Sequence, residues 1–594
     1  MLAFGALIDL SLAPLDSEDA DRLSRSLLTI PGQARRHAVA ECAVVEVADH
    51  RSLPFDADLP YVDDELLVAG VLRIDARSRL CAALAPSAPG ALDGASDARL
   101  VALAFRRWDD RLAEHLIGDY AFVVWHRTSG RLTAARDPLG NRQLYWARVG
   151  TRMALGSSVD LVRCLPGLSN ELDSSSIASV LRDGWIERAD GTVLRGVHRV
   201  PAAHTLLATR DAPARLRRHW DFPVPTPLRF AREDDYVERC NEVLGDVVGD
   251  RLRGESATIM LSGGMDSSTL AATARRVAPA CTLHAQTTMQ PTLAPSDDDR
   301  LSTEIARQLG IEQTVLGLET LPALSHLGAP DDLPAQPLDE PDLADLREGA
   351  AAAARQSPVV LFGEDGDTLL QAPTLLGQLR TQPLYEVVLS WTRYRRASGK
   401  WPWMGLEWRR RLSQLAHGAE PSRTPWLAAP WLVAPSEGHR PRARHRTRSL
   451  TARALSSPQW DALYEALEPA TTRASVLFTL PLTDPRLLEF VFAIPPVPWC
   501  QEKQLFRRAM HGQLPHEVLT RPKTALDGAI EARVAQWRAA GGGETPISQR
   551  VAPWVDVPAV RDVLRTGTPY EVYDAWRVLQ VDAWLLREER RRGA

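Results

Sequence analysis

The stretch from Ala257 to Ser268, ATIMLSGGMDSS, begins as an apolar run typical of a buried strand and breaks at Ser262, Gly263 and Gly264. Two adjacent glycines allow a tight turn and a close approach of the backbone to a ligand. The helix predicted after them would direct unpaired N–H groups and its positive dipole end toward an anion. This combination predicts a pyrophosphate cradle in an enzyme that splits ATP between its α and β phosphates, although a plain strand-to-helix turn can share the same short pattern.

The polar residues of this stretch have distinct expected roles. Asp266 lies one turn into the predicted helix, where its carboxylate can hold Mg²⁺ against the phosphates, because a hard cation prefers oxygen ligands. The pattern differs from the GxxxxGK[ST] loop of kinases and GTPases. The residues predicted to bind the nucleotide here are Leu261, Ser262, Gly263, Gly264, Asp266, Ser267 and Ser268.

A second apolar run, Pro358 to Phe362, ends in the glycine-bounded acidic sequence GEDGD. Because parallel strands end at the same edge of a sheet, this loop is expected to face the first one. We expect Gly363 to approach the nucleotide, Asp367 to share magnesium with Asp266, and Glu364 to orient or deprotonate a nucleophile. Taken alone, the loop is also compatible with an ordinary polar turn.

The order of predicted elements changes along the chain. Short alternating runs such as Leu66 to Ile74 and Tyr120 to His126 predict stacked antiparallel sheets in the N-terminal third. After a proline-rich stretch, strands such as Thr282 to Met289 alternate with helices, which predicts a parallel sheet flanked by helices. The predicted domains are 1–215 (antiparallel sheets), 216–230 (linker), 231–540 (parallel sheet with helices) and 541–594 (C-terminal helical extension).

Composition argues against several classes of protein. The 70 Lys and Arg residues are outnumbered by 75 Asp and Glu residues, and the net charge of −5 argues against a nucleic-acid partner. The six cysteines form no CxxC pair, so neither a disulfide framework nor a zinc site is expected. No run is long enough to span a membrane, and the N-terminus lacks the basic start of a signal peptide. We therefore expect a cytoplasmic protein without a membrane span.

Lysine is rare in this sequence. Only Lys400, Lys503 and Lys523 occur among the 70 basic residues. A lysine presents a compact ammonium charge that the planar guanidinium of arginine cannot copy. The scarcity marks these three residues as candidates for a specific function, although survival by chance remains an alternative.

With both loops considered together, the chain resembles the asparagine-synthetase superfamily, whose SGGxDS sequence is followed by a GEGxDE-type loop. Glu502 to Lys523, EKQLFRRAMHGQLPHEVLTRPK, resembles the lysine-containing tail of that family. The resemblance implies that Lys503 stabilises charge on the phosphates and the reacting adenylate, and that Lys523 helps to bind the nucleotide. It also implies an α/β and α+β two-domain fold, with an N-terminal Ntn-hydrolase-like domain and a C-terminal adenine-nucleotide α-hydrolase-like domain, and ATP and Mg²⁺ as cofactors.

The N-terminal half carries a weaker resemblance. Gly118 to Trp125 and Ala135 to Trp146 resemble pieces of the family's glutamine-hydrolysing domain. That domain uses an N-terminal cysteine as its nucleophile, whereas this sequence begins Met1-Leu2-Ala3 and its first cysteine is Cys42. We therefore expect a degenerate glutaminase domain, with the substrate itself supplying the amine.

Three relatives fit an amide-forming enzyme of this kind: lasso-peptide cyclases, β-lactam synthetases and carbapenam synthetases. Glu364, where the β-lactam-forming branches carry tyrosine, and the Trp- and Arg-rich stretch 390–450 favour a cyclase. This resemblance implies a precursor peptide, with leader and core, as substrate and a leader-binding protein and a leader protease as partners. An ammonia-dependent asparagine synthetase, a β-lactam synthetase-like ligase and an inactive peptide-binding scaffold remain alternatives.

Overall fold

The computed structural model describes most of the chain. The described residues are 3–26, 33–39, 42–48, 59–86, 92, 94–289, 298–317, 322–380, 382–402, 424–431, 448–522 and 528–593. Lys523 and much of the stretch 390–450 lie outside them, so the expectations for these residues stay predictions.

The N-terminal part contains two six-stranded antiparallel sheets. One has the strand order β10-β8-β9-β1-β3-β2 and the other β12-β11-β7-β6-β5-β4. The strands are β1 (Ala3–Asp9), β2 (Gln33–Val39), β3 (Cys42–Ala48), β4 (Tyr61–Val62), β5 (Leu66–Ile74), β6 (Gly118–His126), β7 (Arg131–Arg136), β8 (Tyr145–Val149), β9 (Arg152–Gly156), β10 (His198–Arg199), β11 (His204–Thr209) and β12 (Ala212–Arg218). The predicted antiparallel architecture is confirmed, and β5 has the predicted bounds.

Apolar side chains fill the layer between these two sheets. Phe4 of β1, Trp125 of β6 and Leu206 of β11 are fully buried there, and Ala69 and Val71 of β5 belong to the same cluster. The inward faces of both sheets therefore form one apolar core, as alternating strand patterns predict.

The C-terminal part is built on a five-stranded parallel sheet with the order β15-β14-β13-β16-β17. Its strands are β13 (Ser256–Met260), β14 (Thr282–Met289), β15 (Glu312–Gly317), β16 (Val359–Leu361) and β17 (Leu477–Thr479). β14 has the predicted bounds, whereas the short edge strand β17 was not predicted. Since β13 and β16 are neighbours, the loops that follow them lie side by side at the carboxyl edge of the sheet.

Helices flank this sheet and continue beyond it. The α-helices are α1 (Ser17–Ser26), α2 (Arg77–Leu84), α3 (Asp97–Trp108), α4 (Val159–Val162), α5 (Ser174–Asp183), α6 (Glu233–Gly249), α7 (Met265–Val277), α8 (Asp298–Leu309), α9 (Leu343–Gln356), α10 (Gly366–Leu369), α11 (Leu375–Leu379), α12 (Leu384–Ser398), α13 (Ser449–Leu455), α14 (Gln459–Leu467), α15 (Pro469–Thr472), α16 (Pro485–Ala493), α17 (Pro496–Trp499), α18 (Gln504–Ala509), α19 (His516–Thr520), α20 (Ala529–Ala539), α21 (Val557–Thr566) and α22 (Pro569–Gly593). Among the described residues, these helices include none long and apolar enough to cross a bilayer.

The last helices pack onto the N-terminal part. Trp576 and Leu585 of α22 share one buried cluster with Leu7 of β1 and Leu181 of α5. Arg587 of the same helix forms an ion pair with Asp160. The C-terminal helices therefore complete a core that the N-terminal sheets begin.

Buried ion pairs also join the two parts. Arg251, which follows α6, lies 3.0 Å from Asp484 at the start of α16 and 3.5 Å from Asp75 of the N-terminal part. On another side, Arg199 of β10 lies 3.1 Å from Glu465 of α14. All five side chains are almost fully buried, and a buried charge is tolerated only when it is paired. These pairs fix one orientation of the two parts.

Candidate active site

The loop after β13 has the predicted tight turn. Gly263 has a φ of +75°, and a Cβ added to it would lie 2.5 Å from the carbonyl oxygen of Asp298 at the start of α8. Ser262 and Ser267 face each other across the turn with their Oγ atoms 3.1 Å apart. Ser268 Oγ donates to the carbonyl oxygen of Gly264 at 2.6 Å. Only glycine fits at 263, because a side chain would meet both strain and the neighbouring backbone.

The loop after β16 packs directly against the first loop. A Cβ added to Gly363 would lie 2.9 Å from the backbone nitrogen of Ser267. A Cβ added to Gly366 would lie 2.2 Å from Cγ of Asp266. The two glycines therefore permit the close approach of the two acidic loops that the sequence predicts.

Lys503 joins these loops from a distant segment. Its Nζ lies 2.5 Å from Oδ2 of Asp266 and 2.7 Å from Oδ1 of Asp367. Both Glu502 and Lys503 have positive φ angles, of 46° and 57°, which side-chain-bearing residues adopt rarely. Backbone strain of this kind is concentrated at functional sites, where the surrounding structure holds it in place.

A cavity of about 930 Å³ opens above these residues. This volume lies in the range of cavities that hold a nucleotide-sized ligand. Of the predicted site residues, those that line it are Leu261, Ser262, Gly263, Gly264, Asp266, Ser267, Gly363, Glu364, Asp367 and Lys503. Ser268 is fully buried beneath the loop and does not line the cavity, and Lys523 lies outside the described residues. The structure thus brings together ten of the predicted residues.

Asp365 also lines the cavity and was not among the predicted site residues. Its φ is +75°, and its side chain is 5% exposed. Burial, reinforced by the negative charges of Glu364 and Asp266, raises the pKa of its carboxyl to about 8. The sequence signal that could have found it is the Asp-Gly pair inside the acidic loop, since Asp is one of the few residues that tolerate this conformation before a glycine turn.

Arg521 and Arg507 line the same cavity and were likewise not predicted. Arg521 forms an ion pair with Asp298, whose carbonyl oxygen approaches Gly263. The guanidinium of Arg507 donates to the carbonyl oxygens of Glu502 and Leu519. The sequence did not reveal these two residues because it contains many arginines, and nothing in the spacing of Arg507 and Arg521 distinguishes them from surface arginines.

The donor set fits a magnesium ion that arrives with a nucleotide. Mg²⁺ is commonly bound by one or two carboxylates together with substrate phosphates. Asp266 and Asp367 supply two carboxylates beside the glycine-rich loop. Across the described part of the chain, no group of three or more His, Cys, Asp or Glu side chains is placed to hold a metal ion.

A glycine-rich loop and an acidic loop thus meet at the carboxyl edge of a parallel sheet, where open α/β sheets bind their ligands, and a lysine joins them. The chain belongs to the asparagine synthase family, whose model matches residues 239–586, more than half of the chain. A glutamine amidotransferase domain model matches residues 79–220. The family predicted from the two loops is thus confirmed.

Similar proteins each match only part of the chain. Asparagine synthetase [glutamine-hydrolyzing] 3 of Bacillus subtilis is 27% identical over 30% of this chain and 29% of its own. Amidase chyE of Penicillium rubens is 30% identical over 30% of this chain and 26% of its own. A putative asparagine synthetase [glutamine-hydrolyzing] of Mycobacterium bovis is 26% identical over 48% of this chain and 44% of its own. The chain matches less than half the length of each of these relatives.

Proposed function

We propose that the protein is an ATP-dependent, AMP-forming amide ligase that closes a macrolactam in a peptide, as a lasso-peptide cyclase does. The observation that carries the proposal is the convergence of Asp266, Asp367 and Lys503 beneath a glycine-rich loop. The phosphates of an ATP molecule bound at this loop would meet one cation and two carboxylates. Mg²⁺ bound there would neutralise charge on the leaving pyrophosphate.

The proposed reaction has two steps. An Asp or Glu side-chain carboxylate of the peptide attacks the α-phosphorus of ATP, and pyrophosphate leaves into the loop around Gly263 and Gly264. The N-terminal amine of the peptide then attacks the carbonyl carbon of the acyl-adenylate, so that a C–N bond forms and the C–O bond to AMP breaks. The ammonium form of the amine loses one proton to Glu364 before attack, and the second proton leaves from nitrogen onto the departing phosphate. Lys503 stabilises the negative charge that develops on the α-phosphate.

The packing of the N-terminal part fits a supporting role. The layer between its two sheets is filled by buried apolar side chains, among them Phe4, Ala69 and Val71. We infer that this part now serves to support the ligase part.

The size of the site supports a substrate larger than an amino acid. A second cavity, of about 600 Å³, shares Glu502 and Arg507 with the first. Each volume lies in the usual range for a separate ligand. The first cavity would hold the nucleotide and the second part of a peptide. A leader-binding protein and a leader protease would then be the partners that deliver and trim that peptide.

A mass-spectrometric assay tests the proposal. The purified protein is incubated with ATP, Mg²⁺ and precursor peptides encoded beside its gene, and both nucleotides and peptides are analysed. A product lighter than the precursor by one water, formed with AMP and pyrophosphate, supports the cyclase. The Asp266→Asn variant, assayed at the magnesium concentration that suffices for the wild-type protein, serves as the control and should form less product.

Two other outcomes would favour the alternatives. The asparagine synthetases among the similar proteins make an ammonia-dependent synthetase the second candidate. Formation of asparagine from aspartate, ammonia and ATP, without any change in a peptide, would favour that activity. Turnover with small β-amino acids would favour a β-lactam synthetase-like ligase, and peptide binding without ATP turnover would leave an inactive scaffold.

A further inference from the structure

Asp365 lacks the contacts that normally stabilise a buried carboxylate. Its side chain is 5% exposed, and neither carboxylate oxygen has a hydrogen-bond partner among the described residues. It precedes the short helix α10 but does not cap it, because its side chain accepts no hydrogen bond from that helix. A buried polar group without a partner is rare in folded proteins and calls for an explanation outside the fold.

The backbone of Asp365 is unfavourable as well. Its φ of +75° lies in the left-handed region, where glycine is the favoured residue. An Asp at this position therefore adds both backbone strain and an unpaired buried carboxyl. Such combinations persist at sites where a ligand supplies the missing contact.

A cation that enters the cavity would supply the missing partner. Asp365 lines the cavity beside Glu364, whereas the ammonium of Lys503 contacts Asp266 and Asp367. In the described residues, Asp365 does not join Asp266 and Asp367 in a group able to hold a metal ion. We therefore consider a cation other than the magnesium expected at those two carboxylates.

We propose that Asp365, together with Glu364, binds the primary amine that attacks the acyl-adenylate, and holds it in its ammonium form until Glu364 takes a proton. This inference rests on the proposed amide-forming function and adds the residue that recognises the nucleophile. Amines of this class are protonated at neutral pH and carry three N–H donors, which the oxygens of the two acidic side chains can accept. Asp365 is a binding residue here, and Glu364 is the base.

Direct binding is the first test. The full-length protein is titrated with methylammonium chloride, and its melting temperature is compared with that in equal concentrations of tetramethylammonium chloride, which has no N–H donor. We expect the melting temperature to rise in a saturable way with methylammonium only, and we expect this rise to be lost in Asp365→Asn. Asp331→Asn, at an exposed position, serves as the matched control and should keep the rise. An unchanged response in Asp365→Asn would overturn the inference.

Folding defects are separated by a second variant. Asp365→Gly removes the carboxyl and also relieves the left-handed strain, so it should melt at or above the wild-type temperature. It should nevertheless lose the response to methylammonium. If Asp365→Gly keeps the response, the carboxyl is not the receptor.

The half-reactions separate this inference from the proposed function. ATP–pyrophosphate exchange reports adenylation and needs no amine. Amide formation needs both the adenylation step and the amine. In Asp365→Asn we expect amide formation to fall at least tenfold more than exchange does, with AMP released by hydrolysis of the adenylate. Equal loss of both reactions would overturn the inference. No exchange in the wild-type protein with any carboxylate would instead reject the proposed function, while the methylammonium titration would still decide the role of Asp365.

Discussion

Lys503 donates a hydrogen bond of 2.5 Å from Nζ to Oδ2 of Asp266, a residue 237 positions earlier in the chain. The same ammonium lies 2.7 Å from Oδ1 of Asp367. Two acidic loops that repel each other are thus joined by one cation. A lysine suits this position because its ammonium is compact and can contact both carboxylates, whereas a guanidinium is planar and wider.

Replacement of Lys503 by arginine should impair adenylation although the charge is kept. We expect ATP–pyrophosphate exchange to fall about a hundredfold, the range found when one preorganised donor is removed from an active site. Lys400→Arg is the matched control, because the Lys400 side chain is 67% exposed and its Nζ lies 3.9 Å from the nearest carboxylate, of Glu502. Normal exchange in Lys503→Arg would refute the argument from lysine scarcity.

Asp266→Asn should raise the magnesium requirement. The amide keeps the size of the side chain but removes the negative charge that attracts a hard cation. We expect the Mg²⁺ concentration for half-maximal exchange to rise on the order of tenfold or more, as for disturbed metal sites. Asp331 has a side chain that is 73% exposed, and Asp331→Asn should leave the magnesium requirement unchanged. If exchange in Asp266→Asn depends on the Mg²⁺ concentration as it does in the wild-type protein, Asp266 is not a magnesium ligand.

Gly366→Ala tests the close packing of the two loops. The new Cβ would lie 2.2 Å from Cγ of Asp266, so the Asp266 side chain must move away from Lys503. We expect exchange to fall at least tenfold, while the free energy of unfolding falls by only about 1–3 kcal/mol. Gly317→Ala, where no atom lies within 4 Å of the added Cβ, is the control. Full activity in Gly366→Ala would show that the loops tolerate separation.

Asp484 should govern acid stability. Burial by itself would raise its pKa, but Arg251 and Arg486 outweigh burial and hold the pKa well below its usual 3.8. A carboxyl with a lowered pKa contributes stability above the unfolded-state value, and this contribution is lost as the pH falls below about 4. Asp484→Ala should lower the free energy of unfolding by about 3–5 kcal/mol at pH 7, because Arg251 is left buried without this partner.

The pH dependence provides the check on Asp484. Urea denaturation at pH 7 and at pH 3 should show a smaller difference in Asp484→Ala than in the wild-type protein. Asp331→Ala, which removes an exposed carboxylate, should change stability by less than about 0.5 kcal/mol at either pH. If the free energy of unfolding falls equally between pH 7 and pH 3 in Asp484→Ala and in the wild-type protein, Asp484 does not govern acid stability.

Local pattern predicted the centre of the site well. The apolar runs before Ser262 and Gly363 are strands β13 and β16, and strand order alone explains why their loops meet. Contacts between segments that are far apart in the sequence were harder to predict. The three-residue strand β17 has no pattern of its own, because its place is set by pairing with β16. Asp365 was missed because its conformation and its lack of a partner are properties of the folded loop.

The C-terminal helices show the same limit. Their sequence predicts helices, but it does not indicate that Trp576 packs into one core with Leu7. The cluster depends on which surfaces the two six-stranded sheets leave uncovered, and no periodicity within α22 encodes that. The predicted boundaries at 215, 230 and 540 remain predictions for the same reason.

The shared core of α22 and the N-terminal sheets has a consequence for synthesis in the cell. Asp160 and its partner Arg587 are 427 residues apart. At roughly 5–20 residues per second, a ribosome needs on the order of tens of seconds to travel between them. Throughout that interval the first-made sheets expose the apolar surface that α22 later covers. The part of the protein that is translated first is therefore among the last to be finished, and it would be the natural client of a chaperone.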